Sequence, residues 1–248
     1  MLRLRVLGTL QVDCDGPDPA DELLAQPKAT ALLAYLAVAR PRGFHQRDRL
    51  VGLFWPELDQ ERARAALRKL LSRLRQVAGE RVVATRGAEA VALAPDECWC
   101  DAVAFDEAVA QGRLGDALEL YHGELLPGFY VPEADAFERW LEDERARLAD
   151  AAVVVAWSLV ERHVAQAQLT NASRLARQVA RLAPTDERVL RRVLTMLSRL
   201  GDRAGAMQLY ARFADRLWRE LAVRPSPETQ QLVAAIRDGP GLGARAPG

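Results

Sequence analysis

The stretch of residues 61–76, ERARAALRKLLSRLRQ, concentrates six basic side chains within one predicted helix. Guanidinium groups and glutamine amides carry hydrogen-bonding forks that match base edges, basic side chains neutralise phosphates, and a serine hydroxyl adapts to either group. These residue types at this density indicate a surface for a polyanion. The candidate DNA-binding residues are Arg62, Arg64, Arg68, Lys69, Ser72, Arg73, Arg75 and Gln76, together with Arg86 at the tip of a predicted hairpin, where it could enter a minor groove.

Apolar residues recur on one stripe of this helix at about 100° per residue, so that side is predicted to pack on a core. The stripe consists of Ala63, Leu67, Leu70, Leu71 and Leu74, and the exposed arc carries Glu61 as its only acid. The alternative is an ordinary solvated face, because arginine is a good helix former and charged helix faces are usually hydrated. The basic hairpin tip immediately downstream favours the polyanion surface.

Other reactive side chains do not form a catalytic or metal-ligating set. His45, His122 and His163 lie far apart, and the three cysteines have no CxxC spacing. The phosphate-loop pattern GxxxxGK(S/T) and the nucleophile pattern GxSxG do not occur. The acids of residues 138–144 are interleaved with arginines, which favours an ion-paired helix face over paired catalytic carboxylates. We expect no enzyme activity, no cofactor and no metal.

The charge distribution places a basic partner surface in the first part of the chain. The 248 residues have a formal net charge of zero, but residues 1–95 hold 15 Lys and Arg against 11 Asp and Glu, and the remainder holds 19 against 23. Cysteine usage fits a reducing compartment, and no stretch approaches the roughly 18 apolar residues of a membrane span. We expect a soluble, cytoplasmic, nucleoid-associated protein.

A β-meander, three helices and a hairpin are predicted to position the basic helix. The strands cover residues 2–6 and 10–14, before a turn at residues 15–19. The helices cover residues 28–40, 45–54 and 59–78, the last with Asp59 as N-cap and an end at Gly79. The hairpin pairs residues 81–85 with 91–93, and a strand follows at residues 98–100.

The second part of the chain is predicted to be almost entirely helical, with a repeat. Residues 172–176 (ASRLA) and 206–210 (AMQLY) are offset by 34 residues, and residues 117–121 (ALELY) form a third copy at an irregular distance. A period of about 34 residues is typical of tetratricopeptide repeats, in which small residues allow helices to approach closely. The tail at residues 239–248, GPGLGARAPG, has the composition of a flexible segment.

Several motifs resemble one protein family in the same order along the chain. The segment LLSRLRQVAGERVVATRG, after three helices, resembles the OmpR-type winged helix. The segments QPKATALLAYLAV, RDRLVGLFWP, ALRKLLSRLRQ, GDALELYHGELLPGF, FERWLEDERARL, LGDRAGAMQLYARF and ELAVRPSPET resemble bacterial transcriptional activator domain (BTAD) proteins, which include the SARP activators. The resemblance covers residues 1–237.

The resemblance implies a mainly α fold with a small β part. An N-terminal winged helix at residues 1–95 precedes a tetratricopeptide-like BTAD domain at residues 96–238. The implied function is a sequence-specific transcriptional regulator that reads the major groove with residues 59–78 and the minor groove near Arg86. Within residues 72–75, it implies that Arg73 contacts base or phosphate, that Arg75 contacts phosphate, and that Leu74 lies in the core.

Double-stranded DNA is the expected partner, with a homodimer on direct-repeat half-sites and RNA polymerase subunits as further partners. The alternative keeps this fold but assigns it to an interaction scaffold that binds a peptide or signalling partner in the helical groove, without DNA binding of its own.

Overall fold

The computed structural model describes residues 1–14 and 25–238, so the predicted turn at residues 15–19 and the predicted flexible tail at residues 239–248 lie outside the described residues. The predicted fold class is confirmed: the described chain is mainly helical with small sheets. The strands are β1 (Leu2–Arg5), β2 (Gln11–Cys14), β3 (His45–Gln46), β4 (Val83–Arg86), β5 (Ala90–Leu93) and β6 (Cys98–Cys100). The helices are α1 (Pro27–Val38), α2 (Arg47–Phe54), α3 (Gln60–Ala78), α4 (Asp101–Ala110), α5 (Leu114–Leu120), α6 (Asp135–Ala165), α7 (Leu169–Leu182), α8 (Glu187–Arg199), α9 (Arg203–Leu221) and α10 (Pro227–Asp238).

The chain divides into two compact units, Met1–Leu148 and a second unit that begins at Ala149. Helix α6 contributes its first part to the first unit and its remaining residues to the second. The domain boundary predicted near residue 95 lies inside the first unit, because β6 and α4 follow that position and pack on β1. The domain boundary predicted at residue 95 does not coincide with the boundary between the two compact units, and it stays a prediction.

Two three-stranded sheets belong to the first unit. In one, β1 pairs antiparallel with β2 and parallel with β6; in the other, β5 lies between β3 and β4, and both pairings are antiparallel. The predicted hairpin and the strand at residues 98–100 are confirmed. The prediction that residues 45 and 46 begin a helix is wrong: His45 pairs with Val91, so the ladder satisfies their backbone groups and α2 starts at Arg47.

Helix α3 has the signals that its sequence predicts. The carboxylate of Asp59 accepts a hydrogen bond from the backbone N–H of Arg62 at 2.9 Å, which caps the first turn. The helix ends at Gly79, whose positive φ of 102° is a conformation that glycine adopts without the clash a Cβ would cause. This three-helix arrangement followed by the β4–β5 hairpin is a winged helix.

Aromatic side chains from α1, α2 and the start of α6 form the centre of the first unit. The ring centroids of Tyr35 and Trp140 are 4.7 Å apart, and those of Phe54 and Phe137 are 5.2 Å apart. These edge-to-face and tilted contacts are favourable for aromatic pairs. The first part of α6 is therefore a component of the core on which the winged helix is built.

The buried carboxylate of Asp101 joins the end of β1 to the start of α4. Its oxygens accept the backbone N–H groups of Val6 and Leu7 at 3.0 Å, and that of Ala102 at 2.8 Å. Burial raises the pKa of this carboxyl above its ordinary value, although the three N–H donors oppose the shift. Val6 and Leu7 follow the last residue of β1. Asp101 therefore supplies an acceptor for two backbone N–H groups that the pairing of β1 does not satisfy.

Helices α7 to α10 form the repeat region of the second unit. Helices α7 and α9 start 34 residues apart, at Leu169 and Arg203, which agrees with the predicted period. The repeat alanines Ala172 and Ala206 are fully buried, as expected for small residues where helices approach closely.

A carboxylate of α8 fixes the start of α10. Oxygens of Glu187 accept the hydroxyl of Ser226 at 2.6 Å, the hydroxyl of Thr229 at 2.5 Å and the backbone N–H of Ser226 at 2.9 and 3.0 Å. Burial alone would raise the pKa of Glu187, but these donors outweigh it and hold the pKa below its ordinary value. The PSPET segment therefore docks on α8 through Glu187 and also through Arg191, which donates to the hydroxyl of Thr229 at 3.1 Å and lies 3.3 Å from the Glu228 carboxylate.

Candidate nucleic-acid interface

Helix α3 packs with its apolar stripe inward and presents its polar residues outward. Ala63, Leu67, Leu71 and Leu74 are buried, and Leu70, which the sequence also placed on the stripe, is half-buried. Two of the nine candidate DNA-binding residues, Arg73 and Arg75, are half-buried. The other seven are exposed: Arg62, Arg64, Arg68, Lys69, Ser72, Gln76 and Arg86. The expected core position of Leu74 is confirmed.

Arg64 and Arg62 have carboxylate partners among the described residues. The guanidinium of Arg64 donates to Asp48 of α2 through three contacts of 2.8 to 3.0 Å, and the Nε of Arg62 lies 3.3 Å from the Asp59 carboxylate. Within the described residues, neither Arg68 nor Lys69 pairs with a carboxylate. Arg68 and Lys69 therefore contribute more to the positive potential of the helix surface than Arg62 and Arg64 do.

Arg73 and Arg75 lie on different sides of α3. A guanidinium N–H of Arg73 donates to the side-chain oxygen of Gln76 at 3.3 Å, which keeps these two candidates together. Arg75 donates to the backbone carbonyl of Val83 at 3.4 Å and so faces β4.

Arg47, which the sequence reading did not select, belongs to the same basic cluster. It is the first residue of α2, and its backbone N–H donates to the carbonyl of Glu89 at 2.7 Å. Its Nε is buried and has no hydrogen-bond partner in the described part of the chain. Burial, and then the like charges of Arg75 and Arg68, lower the pKa of Arg47.

A cleft of about 460 Å³ opens beside this cluster, between the start of α2, helix α3 and the turn of the β4–β5 hairpin. Its charged lining residues are Arg47, Asp48, Arg64, Arg68 and Glu89. We name Arg47, Arg68 and Arg75 the arginine cluster. It combines fixed positive charge with an unsatisfied donor, which is an arrangement that an anion would stabilise.

A second cleft of about 630 Å³ runs along the other flank of α3. Helix α3 lines it with Ala66, Lys69, Leu70, Ser72, Arg73 and Gln76, and the opposite side is formed by Gln26, Lys28 and Trp55. Lys28 is held by Glu57 at 3.0 Å and lies over the Trp55 ring. The structure thus brings Lys69, Ser72, Arg73 and Gln76 to one groove and Arg64 and Arg68 to the other.

Arg86 ends β4 immediately before the hairpin turn, in which Gly87 has a positive φ of 59°. Its guanidinium lies 4.2 Å from the centre of the Phe44 ring, and that ring is 39% exposed. This cation–π contact orients the arginine on the outside of the second sheet.

The cysteines and acids of the described chain show no metal-site geometry. No group of three or more His, Cys, Asp or Glu residues there could hold a metal ion. Burial raises the pKa of Cys98 and of Cys100 to about 12, so both thiols are protonated near neutral pH. Among the helices of residues 1–14 and 25–238, none is long and apolar enough to cross a membrane.

Proteins similar to this chain include two regulatory proteins, by sequence, and one solved structure, by fold. The regulatory protein AfsR of Streptomyces griseus is 28% identical over 250 residues, and AfsR of Streptomyces coelicolor is 29% identical over 249 residues. Each alignment covers 95% of this chain and 24% of the relative, so the chain spans about a quarter of the length of these relatives. A solved structure of Mycobacterium tuberculosis EmbR in complex with a low-affinity phosphopeptide shares the fold, with a TM-score of 0.58 and 24% identity over 96% of this chain and 66% of that one.

The family of the chain follows from its second, helical part. Residues 100–237, more than half of the chain, match the bacterial transcriptional activator domain. The match begins at Cys100, the last residue of β6, and ends within α10, so it includes each of the helices α4 to α10. The chain belongs to the bacterial transcriptional activator domain family, whose members include the SARP regulators.

Proposed function

We propose that this chain binds double-stranded DNA sequence-specifically and regulates transcription as an activator. In this proposal α3 enters the major groove, and the β4–β5 hairpin places Arg86 at the adjacent minor groove. Membership of a transcriptional activator family supports the general role, and the exposed polar side of α3 supports the specific one. The mechanism is stoichiometric binding and requires no catalytic group.

The arginine cluster is the observation that carries the DNA proposal. The like charges of Arg75 and Arg68 act on Arg47, the Nε of Arg47 lacks an acceptor among the described residues, and Asp48 is already engaged by Arg64. A phosphate of the DNA backbone would supply both the missing acceptor and the compensating negative charge. An ordinary solvated face would not require a buried guanidinium nitrogen beside two further arginines.

The two flanks of α3 have different proposed roles. Arg47 and Arg68 bind phosphates and fix the position of the helix. Lys69, Ser72, Arg73 and Gln76 are placed to read base edges, since arginine and glutamine offer paired hydrogen-bonding groups and serine adapts to either partner. Arg62 and Arg64 contribute less, because neighbouring carboxylates already neutralise them.

The test starts from a duplex selected by the chain from a random DNA pool. Its binding is then followed by fluorescence anisotropy at two salt concentrations, for the unaltered chain, for Arg73→Ala and for Arg68→Ala. We expect Arg73→Ala to lower affinity for the selected duplex more than for a scrambled one, and Arg68→Ala to lower both to a similar extent.

Arg174→Ala provides the matched control, because Arg174 is an exposed arginine of α7. It should leave DNA affinity unchanged. Weak binding that is identical in the unaltered chain and in all three variants would refute the DNA proposal. That outcome would favour the alternative, an interaction scaffold without DNA binding of its own.

The partner assignments extend this proposal. Two protomers occupy direct-repeat half-sites, RNA polymerase subunits are the protein partners, and the chain acts in the cytoplasm at the nucleoid. Analytical ultracentrifugation of the chain with a selected duplex would measure how many protomers bind each DNA molecule.

A further inference from the structure

A cleft of about 350 Å³ lies between α7 and α9 and is formed entirely by residues of the second unit. Its floor includes Leu209 and the buried ring of Phe213. Four arginines line it, and none of the described lining residues is a carboxylate: the arginines are Arg177, Arg181, Arg212 and Arg216. The volume is at the lower end of the range typical of ligand pockets, roughly 300–1,000 Å³.

The arginines form two pairs, each spaced by one helical turn. Arg177 and Arg181 follow one another on α7, and Arg212 and Arg216 do so on α9. Like charges at this spacing weaken a helix unless opposite charges compensate them.

Neighbouring acids neutralise two of these four charges. Arg177 is paired with Asp202, and the Nε of Arg216 lies 3.6 Å from the Glu220 carboxylate. Within the described residues, Arg181 and Arg212 are in no ion pair. One exposed guanidinium from each helix is therefore available on either side of an apolar floor.

We propose that this cleft binds an acidic peptide segment of a partner protein. An apolar side chain of the peptide packs on Leu209 and Phe213, and flanking Asp or Glu carboxylates pair with Arg181 and Arg212. The geometry favours a peptide over nucleic acid, because phosphate contacts need no apolar floor, whereas a short peptide supplies apolar and anionic groups together. The proposal is independent of DNA binding by α3.

A fluorescein-labelled peptide, GDELFEDG, tests the proposal in anisotropy titrations with the full chain. We expect saturable binding, weakened roughly tenfold in the double variant Arg181→Ala/Arg212→Ala by loss of two charge-assisted contacts. Arg174→Ala, on the same helix as Arg181 but not in the cleft lining, should change the affinity less than about twofold. Circular dichroism and thermal unfolding of the double variant serve as the control for folding, and DNA binding should be unaffected.

Two altered peptides test the chemistry without changing the chain. GNQLFQNG lacks the charges and GDESSEDG lacks the apolar residues, and each is expected to bind more weakly than GDELFEDG. Three results would overturn the proposal: no saturable binding of GDELFEDG, equal affinity for all three peptides, or equal affinity in the double variant. A labelled DNA duplex that displaces the peptide and loses affinity in the double variant would overturn it too, in favour of a nucleic-acid site.

Discussion

Replacement of Arg68 by alanine is expected to make DNA binding less sensitive to salt while leaving the fold intact. Arg68 is exposed on α3, has no ion-pair partner among the described residues, and lowers the pKa of Arg47 by its like charge. Its removal therefore relieves repulsion within the protein and subtracts one phosphate contact from the complex. The two effects separate, because stability is measured without DNA and salt dependence with it.

The size of the effect follows from the number of charges that remain available. The basic residues proposed at the interface are Arg47, Arg62, Arg64, Arg68, Lys69, Arg73, Arg75 and Arg86. Within the described residues, carboxylates engage Arg62 and Arg64, and Arg75 is half-buried against a carbonyl. Lys69 and Arg73 are assigned to base edges, so about three phosphate contacts per protomer remain, from Arg47, Arg68 and, beside the minor groove, Arg86. Three contacts correspond to a slope of about −2.7 in log affinity against log salt, or a loss of roughly 40-fold over a fourfold rise in salt.

Arg68→Ala should reduce the slope to about −1.8, so the same rise in salt costs only about 12-fold. The measurement is a series of anisotropy titrations with a selected duplex between about 50 and 200 mM salt, analysed per bound protomer. Thermal unfolding without DNA serves as the control for folding. A slope near zero for the unaltered chain, or the same slope for the chain and for Arg68→Ala, would refute the assignment of this surface to DNA phosphates.

Three further substitutions probe single interactions. Asp48→Asn frees Arg64 and should tighten DNA binding and steepen its salt slope by up to about 0.9, as measured in the same titrations. Glu187→Gln should destabilise the second unit at pH 7 by about 1–3 kcal/mol in urea unfolding. Because the pKa of Glu187 is lowered, its stabilisation is complete above 4.5, its ordinary value, and is lost as the pH falls through the lower folded-state pKa. Asp101→Ala removes the acceptor of three buried N–H groups, those of Val6, Leu7 and Ala102, and should cost the first unit about 3 kcal/mol or more in urea unfolding.

The two stability substitutions, Glu187→Gln and Asp101→Ala, each have a matched control on a nearby exposed acid. Glu228→Gln and Asp96→Ala should each change stability by less than about 1 kcal/mol, since exposed charges contribute little. A destabilisation by Glu187→Gln that is unchanged below pH 4.5 would contradict an ionised carboxylate. An unaltered urea midpoint for Asp101→Ala would contradict its role at the end of β1. Unchanged DNA affinity for Asp48→Asn would show that Arg64 does not contact phosphate.

Local signals were sufficient to predict α3 and its orientation. Asp59 and Gly79 mark its ends, and the apolar period marks its buried side, so all the required information lies within about twenty consecutive residues. The hairpin is equally local, because its two strands flank one glycine turn. The winged helix and the exposed basic side of α3 were therefore predictable from sequence.

The features of the site that were not predicted depend on contacts between residues far apart in the sequence. Arg47 reaches the proposed DNA-binding surface because residues 45 and 46 pair with β5, and a short polar strand of this kind carries no periodic signal. Asp48 neutralises Arg64 from a different helix, 16 residues away, so a helical projection of α3 counts a charge that the folded protein partly cancels. Candidate residues read from one helix thus gave the location of the surface, but not the charge of each side chain.

Other long-range contacts join residues of the family match, which begins at residue 100, to the winged helix. The Asp106 carboxylate of α4 lies 2.6 Å from a guanidinium nitrogen of Arg40, accepts from Arg42 at 2.5 Å, and is held by Arg147 of α6. Its side chain is only 10% exposed, so these attractions are screened less than surface pairs. Arg40 and Arg42 lie in the connection that leads to β3 and Arg47. Flexible linkers allow domains to move independently, whereas these ion pairs and the β1–β6 pairing oppose such movement. The arginine cluster is thus positioned by residues from both sides of residue 95, and the proposed DNA-binding surface belongs to the whole first unit.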